Sequence, residues 1–168
     1  MVTYHVPHPT DPTVKGDLFG YSKTRFSLWG TTVDLLDCGL NKLWSIDEKV
    51  YHHTGASDEN LCNKWGSCDG TIYLQYFIKD SKGSLVTTPA YIPIFASSFA
   101  LVNPGGLKIA DFSRMGGWSP KDVCPKYKKT WLVKFAGAPP GPFGDVTQRW
   151  PVTMMATMMA LRDEDRKP

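Results

Sequence analysis

No short motif that announces catalysis occurs in this chain. Its 168 residues contain no G-x-S-x-G elbow, no phosphate-cradling P-loop and no dinucleotide fingerprint. That removes the reaction classes recognisable from local sequence, leaving only scattered titratable residues as catalytic candidates. His5, His8, His52 and His53 are candidate bases, with Asp58 or Glu59 to orient one of them. This is the basis for a hydrolase or nuclease alternative that would work through histidine-containing loops.

A large charge excess is also missing. The net charge of +3 is too small to carry the electrostatic footprint of a dedicated nucleic-acid binder. No N-x-[ST] sequon occurs, which disfavours a glycosylated surface protein. The first residues, MVTYHVPHPTDPTVKG, have neither the basic and apolar regions of a signal peptide nor the Arg-rich pattern of a transit peptide. An intracellular location, or one within an assembly, is therefore favoured.

Nor is there an uninterrupted membrane-length apolar run. Residues 83–107 hold no charged side chain, yet Pro89 and Pro93 break the stretch and Ser97 and Ser98 dilute it. A bilayer span needs about 20 predominantly apolar residues. AYIPIFASSFALV (90–102) therefore predicts a buried strand or short core helix, and no transmembrane helix is expected.

What the chain does contain is ordinary globular material. It is 42% hydrophobic, 21% charged and 12% aromatic, so it can support a core. Thirteen Pro and 15 Gly divide it into short elements. Residues 1–22 predict an extended, proline-rich arm, 23–161 a single globular domain, and 162–168 a charged tail. Alternating or β-branched runs at 24–29, 71–78, 107–112 and 130–137 predict strands, with a hairpin return at 85–88 after the turn at 80–84.

Two helices are expected beside them. Val33, Leu36, Leu40 and Leu43 recur at helical spacing and predict an amphipathic helix near 32–45, with Thr31 and Asp34 resembling a capping box. Gly39 inside it costs roughly 1 kcal/mol relative to Ala. Pro151 suits a first helical turn and opens a Met-rich helix near 151–161. The predicted class is α+β, with a mostly antiparallel sheet.

Candidate sites follow from composition. Met154, Met155, Met158 and Met159 combine adaptable side chains with helical spacing, as in many partner surfaces, and core packing is the competing use. In CPKYKKTW, Lys126, Lys128 and Lys129 interleave with Tyr127 and Trp131, a pattern able to meet phosphates and stack bases, or to rest on an anionic membrane, across residues 124–134. From 31 to 70 acids outnumber lysines, and from 104 to 135 bases outnumber aspartates, so the two segments can attract each other or differently charged partners.

The four cysteines permit Cys62–Cys68 and Cys38–Cys124 bridges, and equally permit free thiols. His52, His53, Cys62 and Cys68 lie close in sequence, but adjacent histidines and a Cys-x5-Cys spacing suit zinc poorly. No metal or cofactor is expected. The leading functional expectation is a non-catalytic structural or interaction subunit of a larger assembly, a viral particle or multisubunit complex, whose partners are other protein subunits. A small secreted, disulfide-containing binding protein or effector is a further alternative.

Overall fold

In the computed structural model, the described residues are 1–7, 10–11, 14–27, 30–52, 72–87, 91–93, 98–115 and 130–165. They form two antiparallel sheets and one C-terminal α-helix. The first sheet is a meander in sequence order: β1 (Val2–Pro7), β2 (Lys15–Ser27), β3 (Gly30–Leu36), β4 (Lys42–His52), β5 (Ile72–Asp80) and β6 (Tyr91–Pro93). The second joins β7 (Ser98–Val102), β8 (Lys108–Met115) and β9 (Thr130–Phe135). After two short 3-10 turns, α1 (Trp150–Asp165) ends the described chain.

The segment expected to be a helix near 32–45 is instead the β3–β4 hairpin. Val33 lies opposite Ile46 and Leu35 opposite Trp44, so a two-residue alternation buries all four on one face. Of the leucines that suggested helical spacing, Leu40 and Leu43 are exposed. The turn between the strands explains the outcome. Asp37 accepts hydrogen bonds from the Asn41 backbone N–H at 2.8 Å and its Nδ2 at 3.0 Å. Leu40 adopts a left-handed φ of 64°, which a continuing helix does not allow. Side-chain bonds of this kind compete with helix formation and favour tight turns.

Of the stretch read as an arm (1–22), residues 2–7 form β1 and residues 15–22 open β2, and the two strands pair. Tyr4 lies opposite Gly20, and the register shifts on either side of His5 bring Pro7 opposite Lys15. β2 continues in register with β3 from Tyr21 to Ser27, so this stretch is integral to the sheet.

β5 and the return after it follow the sequence reading. Asp80 accepts from the backbone N–H groups of Lys82 and Ser84, Gly83 supplies the left-handed φ of 85°, and Val86 N–H bonds back to the Ile78 carbonyl at 2.9 Å. The uncharged stretch contributes β6 and β7. Among the described residues no helix is long and apolar enough to cross a membrane.

One apolar cluster joins the sheets and the helix. Leu35, Ile46 and Ile78 of the first sheet, Ile109 and Phe112 of the second, and Val152 and Met155 of α1 are all fully buried. Each such side chain contributes about 1.5–3 kcal/mol relative to exposure. α1 packs against β4 and β5 and against β9. Ahead of it, Phe143 stacks on Trp44 at 5.9 Å, and Arg149 donates to the Phe143 carbonyl at 2.9 Å while lying over the Phe135 ring.

Candidate functional site: a groove beside the helix

Inward-facing residues of the first sheet continue past the part that α1 fills. Strand register puts Val2 opposite Ser22, Thr24 opposite Val33, and Thr31 opposite Glu48. The helix answers with Met154, Thr157, Met158 and Leu161, spaced i, i+3, i+4 and i+7 and so on one face. Together with Tyr4 and Phe26 these residues line a groove of about 720 Å³. That volume falls within the roughly 300–1,000 Å³ range of ligand clefts.

The wall is fixed by polar contacts. Tyr4 Oη lies 3.1 Å from Ser22 Oγ and donates to Met154 Sδ at 3.4 Å, tying β1 to β2 and to α1. Tyr76 OH, from β5, donates to Glu48 Oε2 at 2.6 Å. Glu48 is only 6% exposed, and a carboxylate so deeply placed needs such partners. At the mouth the character reverses. Phe26 is 84% exposed, Leu161 56% and Val2 55%.

Chemically, the described lining residues offer apolar surface, the hydroxyls of Tyr4, Ser22, Thr24, Thr31 and Thr157, and one charged group, Glu48. Hydroxyls and a single carboxylate bind and orient. Among the described residues no imidazole, thiol or second carboxylate joins them in the lining to form the paired groups that acid–base or nucleophilic chemistry uses. Among the described residues no group of three or more His, Cys, Asp or Glu converges as a metal site.

The opposite face of the same strands is a polar lattice. Arg25 pairs with Asp34 at 2.9 Å, and Asp47 accepts from Lys79 at 2.7 Å and Thr32 at 2.8 Å. Burial pushes the Asp47 carboxyl upward. The bonds from Lys79 and Thr32, with the charges of Lys79 and Lys49, outweigh that and hold it below the ordinary carboxylate value. Asp37 and Asp145 are also lowered, by their hydrogen bonds with Asn41 and Thr147.

The sequence candidates separate. Met154 and Met158 line the groove, Met154 being buried there as part of the core, and Met155 and Met159 are buried in the core away from the lining. Trp131 sits on β9, edge-on to Phe99 at 5.9 Å and away from the groove lining. Lys126, Lys128 and Lys129 lie outside the described residues, as do His8, His53, Asp58, Glu59, Cys62, Cys68 and Cys124. Cys38 is exposed in the β3–β4 turn, its thiol donating to the Leu18 carbonyl at 3.3 Å. His5 Nδ1 lies 2.9 Å from the Gly16 carbonyl, holding β1 to β2.

Sequence reasoning missed Tyr4, Phe26, Thr31 and Glu48. One signal was present: Trp44, Ile46 and Glu48 alternate, so an acid falls at an inward strand position, but the helical reading of 32–45 hid it. Comparisons with protein families, curated proteins and solved structures return no match, so this groove is interpreted from its own geometry.

Proposed function

We propose that the chain is a non-catalytic interaction subunit of a larger assembly, and that the groove seats an apolar segment of another protein subunit. The observation that carries this reading is the mouth. Three large apolar side chains, Val2, Phe26 and Leu161, stand in solvent around a cleft whose interior is also mainly apolar. A contiguous exposed apolar patch of this kind marks interaction surfaces more than it marks a monomer's ordinary exterior. Met154 and Met158 supply the adaptable part of the lining, with flexible side chains that repack around an incoming segment. Elsewhere the two sheets and the helix share the buried core that presents this face.

Native mass of the protein as isolated from its source tests the proposal. A species heavier than the 18.7 kDa chain is expected. The double substitution Phe26→Ser and Leu161→Ser is expected to return it to monomer. A monomer at native concentration, indifferent to these substitutions, would overturn the assignment. The alternatives that use residues 124–134, the histidine loops or the disulfides concern segments largely outside the described residues, and no described geometry favours them.

A further inference from the structure

The edge of the first sheet carries a step beside the groove. β1 pairs with β2 as far as Val2 opposite Ser22, and β2 then runs on to Ser27 with β3 alone as its partner among the described residues. Residues 24–27 therefore turn one row of backbone donors and acceptors toward the line of β1, the template that strand addition uses. The step lies at the groove's mouth: Phe26 belongs to it, Val2 closes the end of β1 next to it, and Leu161 of α1 lines the same groove. Side chains along β2 alternate. Ser22, Thr24 and Phe26 line the groove, so Lys23 and Arg25 stand on the outer face, both exposed. β3 answers these two cations with one acid, Asp34, which lies opposite Lys23 and is bonded to Arg25 at 2.9 Å.

We propose that the partner segment docks by adding a short β-strand to residues 24–27, with apolar side chains turned into the groove and acidic ones on the outer face beside Lys23 and Arg25. This rests on the groove being a partner's seat and names the form and chemistry of what sits there. An added strand has the same two-residue alternation as β2, so its inward side chains fall next to Thr24 and Phe26, within the lining that Met158 and Leu161 complete. Its outward side chains fall next to the two cations, where opposite charges on paired strands attract and like charges repel. The same cations argue against a second copy of this chain at the step. Two β2 edges brought together would set Lys23 and Arg25 against their own counterparts. Charge selects an acidic segment, and the unpaired strand edge selects an extended one.

A peptide series on the full, unaltered chain tests the idea. The probes are a short capped peptide alternating glutamate and valine, its lysine–valine counterpart, and two N-methylated forms of the first. One form is methylated at the valine amides and the other at the glutamate amides. Calorimetric titration is expected to show saturable binding of the glutamate–valine peptide, roughly tenfold tighter than the lysine–valine one, as two cross-strand charge pairs turned from attraction to repulsion imply. A strand offers alternate N–H groups to each of its edges, so one N-methylated form is expected to lose binding and the other to keep it. Amide hydrogen exchange within residues 24–27 is expected to slow in the complex. Lys23→Glu is expected to narrow the preference for the acidic peptide to about threefold or less.

Equal affinity for the acidic and basic peptides would overturn the charge selection, and so would a Lys23→Glu protein whose preference is undiminished. Equal binding of the two N-methylated forms, or unchanged exchange at residues 24–27 on saturation, would overturn strand addition while leaving an apolar seat in place. The absence of saturable binding by any peptide would overturn both parts. Native mass separately decides whether the chain is an assembly subunit at all, so the two proposals fail by different measurements.

Discussion

The two ends of α1 meet the same face of the same sheet and produce opposite results. At its N-terminal end the contact is closed by rings. Trp150 packs edge-on against Phe19 at 4.8 Å and Tyr4 at 5.5 Å, while Phe143 stacks on Trp44. Gly20 permits this closeness, since a Cβ there would lie 2.5 Å from the Leu36 carbonyl oxygen and 2.9 Å from the Trp150 ring. Toward the helix C-terminus the inward positions are Ser22, Thr24 and Thr31, and the helix presents Thr157. Strand spacing is set by the backbone, so smaller side chains leave space that larger ones fill. The groove is the volume that the closed end spends on aromatic rings.

Removing a ring from the closed end is expected to have the largest effect. Phe143→Ala leaves a cavity against Trp44 and is expected to cost about 3–5 kcal/mol, read as a lowered denaturant midpoint. Gly20→Ala attacks the same end by overpacking. With the Leu36 backbone as one obstacle, strand and helix must shift, at an expected cost of about 1–3 kcal/mol. If either change were as mild as a surface substitution, the distinction between a filled and a hollow end would break down.

The helix and several strands were legible in the sequence, whereas most of the sheet face that the helix meets was not. Pro151 and the apolar run after it placed α1, which runs from Trp150 to Asp165, and β-branched alternation placed β5, β8 and β9. Those segments each carry one periodicity. Residues 32–45 carry two: Val33, Leu36, Leu40 and Leu43 at helical spacing, and Val33–Leu35 with Trp44–Ile46 at strand spacing. The choice falls to the Asp37–Asn41 side-chain bonds, a local interaction that hydropathy does not weigh. Once the hairpin forms, Glu48 comes to face inward, and register with β5 sets it opposite Tyr76. That partner is 28 residues away along the chain, so no local pattern could pair them. Met154 and Met158 were visible as surface candidates, but their division from Met155 and Met159 depends on which helix face meets the core.

The outer face of the strands supplies a control of intermediate size. In the unfolded chain Asp47 titrates near its ordinary value of 3.8, and in the fold it lies lower. Its contribution to stability is therefore fully present above that ordinary value and is lost as pH falls through the lower folded one. Asp47→Asn is expected to cost about 1 kcal/mol at neutral pH, since solvent reaches Lys79, and to flatten the acid limb of the stability profile. Denaturant titrations at neutral pH and at about pH 2–3 read both effects. An unchanged acid limb would mean that the outer lattice adds nothing to a fold held by its inner face.

The smallest expected change in stability belongs to the most conspicuous apolar residue. Phe26 is 84% exposed, so folding removes little of its ring from water, and Phe26→Ser forfeits little burial. A shift within about 0.5 kcal/mol is expected by chemical denaturation, the range of ordinary surface positions. The contrast with Phe143 is then a contrast between two phenylalanines on the same molecule, one spent on the fold and one left over. A loss of more than about 1 kcal/mol would show that Phe26 is packed in solution, and the groove would have no open mouth. A near-zero loss of stability accompanied by a loss of native mass would separate association from folding at a single side chain, because Phe26 would then bury its ring only against another subunit.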